Sequence, residues 1–284
     1  MAKVTANGVT LEVERHGPTN GPALVMIRGI GSQLIHWPDA LIEGLVASGF
    51  QTVTFDNRDS GLSQKFENSE GYSLRDMADD TIGLMDALGL QKAHILGLSM
   101  GGMILQLMAL HHHARLLSAT IVMSSSLAPN LPRADAEMQD ILRTRPRSDR
   151  RADVIAHELW TGRAFQSPAW PFDQSERSDL VGRAYDRCYC PDGTQRQYSA
   201  MMRASTQLAG IETITVPTLV VHGTGDRLLP PAHGQDIAKR IPGATLVEIE
   251  GMGHDLSGKP ATICAEYVTK FITQSVMSRA AHKN

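Results

Sequence analysis

The chain has little cysteine, no long apolar run and no surplus of positive charge. Its three cysteines among 284 residues are an odd, small number, which gives no disulfide framework. Cys188 and Cys190 stand two apart without a third soft ligand nearby, a poor spacing for a metal site. All three are expected to be ordinary thiols. The most apolar stretch, Ile95 to Leu110, is interrupted by a serine, a glutamine and three glycines and is too short to cross a bilayer. The N-terminus, MAKVTANGVTLEVERHG, lacks the apolar segment of a secretory signal, so a soluble, cytoplasmic protein is expected. Lysine and arginine total 27 against 30 aspartate and glutamate, a net charge of −3. No basic face marks a nucleic-acid binder.

What is present is core-forming: 42% of the residues are hydrophobic, enough for a substantial interior. Short β-rich runs alternate with helical patterns, which predicts an α/β fold with a mostly parallel sheet covered on both faces. Strands are expected at Val9–Glu14 (an edge strand), Ala23–Ile27, Gln51–Phe55, Ala93–Leu96, Ser118–Met123, Val216–Val221 and Ala244–Ile249. Helices are expected from Pro38 to about Ser48, after Ser73 to about Leu88, after Ser99 to about His112, at Pro231–Arg240 and at Lys259–Gln274. Ser73-Leu74-Arg75-Asp76 has the form of a capping box. The tail Ser278–Asn284 is polar and expected to fray. The stretch Leu127–Thr213 breaks the rhythm: it is Arg-rich, helical in pieces, and holds every tryptophan except Trp37. It is read as an inserted helical cap (127–213) on a core formed by 1–126 and 214–284.

The strongest local signal is Gly97-Leu98-Ser99-Met100-Gly101, a G-x-S-x-G pattern between an apolar strand and a helix. A sharp turn there exposes the serine oxygen at a helix N-terminus, where backbone amides stabilise negative charge. A serine hydroxyl needs a base, and the base an orienting acid. Both come later in the chain, in order: Asp226 after Leu219–Gly225, and His254 after Leu246–Glu250 and Gly251-Met252-Gly253. Each stands just past a strand's C-terminal end, where open α/β sheets carry their sites. Glu248 and Glu250 lie within a strand and rank lower as the acid. His111, His112 and His113 splay about 100° apart on a helix and cannot converge on a metal. His222 is expected to be a strand-end packing residue. The Met100 amide is one candidate oxyanion donor, and the loop Arg28-Gly29-Ile30-Gly31 offers the second at Ile30. Gly29-Ile30-Gly31 lacks the third glycine of a dinucleotide fingerprint, since position 34 is Leu. No metal or organic cofactor is expected.

Together these motifs, with Asp56-Asn57-Arg58-Asp59-Ser60-Gly61-Leu62-Ser63, resemble the α/β-hydrolase superfamily over about Ala23–Ser124 and Val216–Phe271. Within it the sequence looks most similar to aclacinomycin methylesterase-like and 3-oxoadipate enol-lactonase-like members. The resemblance implies a carboxylic ester hydrolase with Ser99, Asp226 and His254 as its triad and Ile30 and Met100 as its oxyanion hole. The expected substrate is a small or medium-sized ester or lactone; nothing implies nucleic acid or membrane, and oligomeric state is left open. Two departures stand out. Asp59 and Ser60 alter the family's Asp-x-Arg-Gly-x-Gly-x-Ser turn, and Arg28 replaces the usual histidine before the oxyanion residue. Arg28 is expected to be held by a carboxylate; the alternative is that it reaches an anionic group of the substrate. Trp160, Trp170, Met201 and Met202 join it as candidate pocket residues, with packing inside the cap as the plainer role for each. Three other activities suit the same motifs: a cofactor-free perhydrolase or haloperoxidase, a C–C bond hydrolase, and a non-catalytic ligand receptor.

Overall fold

The computed structural model describes residues 2–67 and 71–281. The elements run β1 (Ala2–Ala6), β2 (Val9–His16), β3 (Ala23–Ile27), α1 (Asp39–Ala47), β4 (Gln51–Phe55), α2 (Leu74–Ala87), β5 (Ala93–Leu98), α3 (Met100–His111) and β6 (Leu116–Val122). Four helices then precede the next strand among the described residues: α4 (Ala136–Arg143), α5 (Arg151–Phe165), α6 (Gln174–Arg187) and α7 (Pro191–Met202). The chain closes with β7 (Thr218–Gly223), α8 (Ala232–Arg240), β8 (Thr245–Ile249) and α9 (Lys259–Ala281).

The strands form one sheet in the order β1-β2-β4-β3-β5-β6-β7-β8. β1, β2 and β4 pair antiparallel, and every pairing from β4 through β3 to β8 is parallel. Strand alternation sends side chains to two cores, one on each face. On β3, Val25 and Ile27 join one core, while Leu24 and Met26 join the other. The first core lies under α2, α3 and α8; the second, with Leu41, Leu45, Cys264 and Val268, lies under the packed pair α1 and α9. From Met100 to Ala109 every residue of α3 is buried, so this helix is apolar all round rather than striped. The helix that orients the serine turn is therefore held on all sides.

Local chemistry explains the boundaries. Ser73 accepts from the Asp76 amide while the Asp76 side chain takes the Ser73 amide, so the capping box forms as its sequence indicates. The fold departs from expectation at two places. The strand starting at Val9 is not the edge: β1 pairs outside it through a tight turn in which Asn7 (φ 50°) and Gly8 (φ 75°) both have positive φ. The last helix does not end at Gln274. Its apolar stripe stops at Ile272, but no Gly or Pro breaks the next turns, and the helix continues to Ala281 with Val276 and Met277 exposed. Of the tail expected to fray, 282–284 lie outside the described residues. No helix among the described residues is long and apolar enough to cross a membrane.

Candidate active site

Ser99 sits between β5 and α3 with φ 55° and ψ −119°, a strained backbone for a non-glycine residue. The flanking glycines make this turn possible. A Cβ on Gly97 would lie 2.3 Å from the Gly101 carbonyl oxygen, and one on Gly101 would lie 2.1 Å from the Ile27 carbonyl oxygen. Bulk at either position would push β5, α3 and β3 apart.

The loops after β7 and β8 are laced together. The Thr224 amide donates to the Ile249 carbonyl at 3.1 Å, the Gly225 amide to the Met252 carbonyl at 2.9 Å, and the Gly251 amide to Thr224 Oγ1 at 2.9 Å. This lacing fixes Asp226 relative to His254. His254 Nδ1 is 2.7 Å from Asp226 Oδ2, and His254 Nε2 is 3.1 Å from Ser99 Oγ. The carboxylate holds the imidazole proton on Nδ1, which leaves Nε2 as the acceptor of the serine hydroxyl. Asp226 is itself anchored: its Oδ1 accepts the Leu228 and Leu229 amides, each at 2.9 Å. Burial acts to raise its pKa, but the His254 charge and hydrogen bonds from His222 and His254 outweigh that and hold the carboxyl well below the ordinary range.

Ile30 and Met100, the candidate oxyanion donors, flank the serine, in the loop after β3 and at the start of α3. Met100 is the first residue of α3 and has no acceptor within the helix. The Ile30 amide likewise makes no hydrogen bond among the described residues. A Cβ on Gly29 would lie 3.2 Å from Ser99 Cβ, so the loop after β3 rests directly against the serine. Ser99, His254, Asp226 and two unspent amide donors thus meet at the C-terminal edge of the parallel strands, an arrangement whose chemistry could serve acyl transfer. Among the described residues no cluster of three or more His, Cys, Asp or Glu is arranged to hold a metal ion.

The other candidates fare differently. Trp160 is 49% exposed and lines a surface cleft of about 470 Å³ with Glu137, Asp140, Arg163 and Arg227; Ser99, His254 and Ile30 are not part of that cleft. Met202 is 60% exposed. Both side chains are turned outward to solvent on α5 and α7. Met201 packs against the first core and Trp170 against the second, under Lys259 Nζ at 5.8 Å. Phe165, at the end of α5, instead faces the His254 ring, with centroids 6.5 Å apart. Arg28 is not in an ion pair with any described carboxylate; its guanidinium stacks over Trp37 at 4.8 Å. The expectation of a carboxylate clamp fails because the nearby Asp255 influences Arg28 only through space.

Two residues gain a place that the sequence did not reveal. His222 is fully buried, donates from Nε2 to the Leu229 carbonyl at 2.8 Å, and has the same nitrogen 3.5 Å from Asp226 Oδ2. It therefore packs against the acid rather than only at a strand end. Gln197 of α7 is buried; its Oε1 accepts the Gly31 amide at 2.8 Å, and its Nε2 donates to the Arg58 carbonyl and to Ser60 Oγ. The altered positions of the Asp56–Ser63 turn are explained here: Asp59 (φ 67°) binds Arg196 through both carboxylate oxygens, and Ser60 accepts from Gln197.

Residues 22–258 match the family described as alpha/beta hydrolase fold. Rhodomycin D methylesterase DnrP of Streptomyces peucetius is 29% identical over 279 residues, covering 89% of this chain and 91% of that protein. The 3-oxoadipate enol-lactonase 1 of Acinetobacter baylyi is 25% identical over 236 residues, 82% of each. Among solved structures, an enol-lactonase from Burkholderia xenovorans superposes with a TM-score of 0.78 at 22% identity, covering 96% of this chain and all (100%) of that one. The chain belongs to the α/β-hydrolase fold family.

Proposed function

We propose that this α/β-hydrolase is a serine carboxylic-ester hydrolase, acting on a small or medium-sized ester or lactone, with residues 127–213 as a helical cap. The observation that carries this reading is the continuous relay from Asp226 through His254 to Ser99, with distances of 2.7 and 3.1 Å, beside the free amides of Ile30 and Met100. Relatives named methylesterase and enol-lactonase support the ester and lactone class.

Ser99 Oγ attacks the carbonyl carbon as His254 Nε2 takes its proton. Asp226 steadies the imidazolium so formed. The Ile30 and Met100 amides receive the oxyanion, a contribution typically worth about 10²–10³ in turnover per donor. Collapse of the tetrahedral species expels the alcohol, which takes its proton from His254. Water then attacks the acyl-enzyme with His254 again as base, and the acid leaves. Every proton is accounted for by the triad and water.

The test is a p-nitrophenyl ester chain-length series combined with fluorophosphonate labelling and peptide mass spectrometry. The expected label sits on the peptide carrying Ser99, and Ser99→Ala loses both hydrolysis and label while its circular dichroism spectrum is unchanged. Ester hydrolysis retained in Ser99→Ala would remove the assignment.

A further inference from the structure

Among the described residues, every arginine that is not exposed is in an ion pair, with two exceptions, Arg28 and Arg177. Arg28 stands at the site, and Arg177 reaches toward it from the helices between β6 and β7. Arg28 leads the loop that presses against Ser99. Its Nε is buried without a hydrogen-bond partner, and its guanidinium lies over Trp37. Arg177 comes from α6. Its Nε is also buried without a partner; it would lie 3.6 Å from a Cβ at Gly162, and its guanidinium is 5.8 Å from the Phe172 ring centre. Gly162 and Phe165 are three residues apart on α5 and so share a face. Phe165 is the ring that faces His254. The second guanidinium thus stands one helical turn from the catalytic histidine's neighbour.

Burying a cation without a partner is costly, and two together more so. Burial first, then the charge of Arg177, lowers the Arg28 pKa to about 10, with Asp255 acting the other way. Asp255 is the acid acting on Arg28, and it is not in an ion pair with it. Its Oδ1 is taken by Ser257, and its Oδ2 is buried without a hydrogen bond. One carboxylate out of contact does not neutralise two guanidiniums. Fork-shaped donors of this kind match a carboxylate bidentately, and Trp37, Phe165 and Phe172 supply apolar surface around them.

We propose that Arg28 and Arg177 form a carboxylate-binding subsite beside Ser99, so that the substrate is an ester or lactone carrying a second, ionised carboxyl group. The proposal rests on the ester-hydrolase reading for its chemistry, but the subsite is testable without turnover. Two substrates of equal chain length separate the effects: monomethyl hexanedioate, which is an anion, and methyl hexanoate, which is neutral. The ratio of their kcat/KM values is the readout. The expected ratio in the natural protein exceeds about 10, and Arg28→Gln and Arg177→Gln each lower it on the order of 10–100-fold, the scale of charge-assisted hydrogen bonds. Arg150→Gln, which removes an equal charge from an exposed site, leaves the ratio unchanged. Placing the two substitutions on separate elements guards against one variant that fails to fold. A ratio near one in the natural protein, or equal loss on both esters in both variants, overturns the proposal. If no ester is hydrolysed at all, calorimetric titration of the Ser99→Ala protein with hexanedioate and with its dimethyl ester decides. Tighter binding of the dianion, weakened by Arg28→Gln, keeps the subsite while the esterase reading falls; no preference for the dianion removes the subsite as well.

Discussion

Asp226 is held by two amides, by His254 and by His222, and each contact has its own expected effect. Asp226→Asn keeps the shape but loses the charge that stabilises the imidazolium, so kcat is expected to fall on the order of 10³–10⁴-fold. His222→Ala leaves the carboxylate and both amides in place, and about a tenfold loss in kcat with KM little changed is expected. A fall as large as that of the Asn variant would mean His222 has a more direct part in the reaction. His36 gives a prediction about stability. Burial, then the charges of Arg28 and Arg177, lower its pKa to about 3; the hydrogen bond with Gln33 opposes this, and Arg187 adds a smaller push. Between pH 6.5 and about 3 the unfolded chain binds a proton that the folded chain refuses, so stability falls as pH falls through that window. The drop in Tm from pH 7 to pH 4 is expected to be smaller in His36→Gln; an identical drop would show that acid sensitivity arises elsewhere. At this scale the relay was legible, because each of its residues stands in a short motif at a strand end. His222 was not, because its approach to Asp226 depends on how the turn after β7 folds back. Trp160 and Met202 were misread because burial within a helical stretch depends on which face meets the core, and an irregular pattern does not reveal it.

The elements follow sequence patterns where burial is regular and escape them where it is not. Strands β3 to β7 are buried on both faces almost throughout, apolar in β3 and interspersed with Gln, Thr, Ser or His in the others, as the inner strands of a sheet covered on both sides. β1 is short and mostly exposed, so its apolar pattern is weak; the readable signal was Asn7-Gly8, the dipeptide suited to a tight hairpin. α5 had no usable stripe because it buries Val154, Thr161 and Gly162, a mixed set. The consequence for the site runs through α7. Gln197 ties the loop after β3 at Gly31, which carries the proposed oxyanion donor, to the Arg58 carbonyl and Ser60. Gln197→Ala unlinks them, leaving the Gly31 amide unpaired. The expected result is a kcat lowered about tenfold or more, with KM for a simple ester changed less, since the loss falls on transition-state stabilisation. Gln197→Glu, which keeps the acceptor for Gly31, is expected to retain more activity than the alanine variant. Equal activity in the two would argue against a role through the loop.

Across the whole molecule, two kinds of polar tie fasten the helices between β6 and β7 to the sheet. On the α6–α7 side, Arg187 pairs with Asp56 at 2.7 Å and Arg196 with Asp59 at 2.8 Å, and both aspartates are fully buried at their side chains. On the α4 side, Arg227 pairs with Asp135 and Glu137, but these groups are 39%, 47% and 73% exposed. Solvent screens the second set, so Arg227→Ala is expected to cost at most about 1 kcal/mol. Arg196→Ala leaves the Asp59 carboxylate buried without its cation, and a loss of about 3–5 kcal/mol is expected by urea denaturation. The same pair adds a second contribution to acid sensitivity, beside that of His36. Burial acts to raise the Asp59 pKa, but the Arg196 hydrogen bond, then the Phe66 amide, hold it below the ordinary carboxylate range. Its stabilisation is therefore full above the unfolded value near 4 and disappears as pH falls through the folded one. Hydrogen exchange distinguishes where the loss is felt. In Arg196→Ala, Pro191–Met202 is expected to lose protection before β5 and β6 do, because the substituted contact joins α7 to the turn after β4. Uniform loss across the sheet and α7 would mean that the helices and the sheet unfold as one unit, and that the buried pair does not fasten α7 locally.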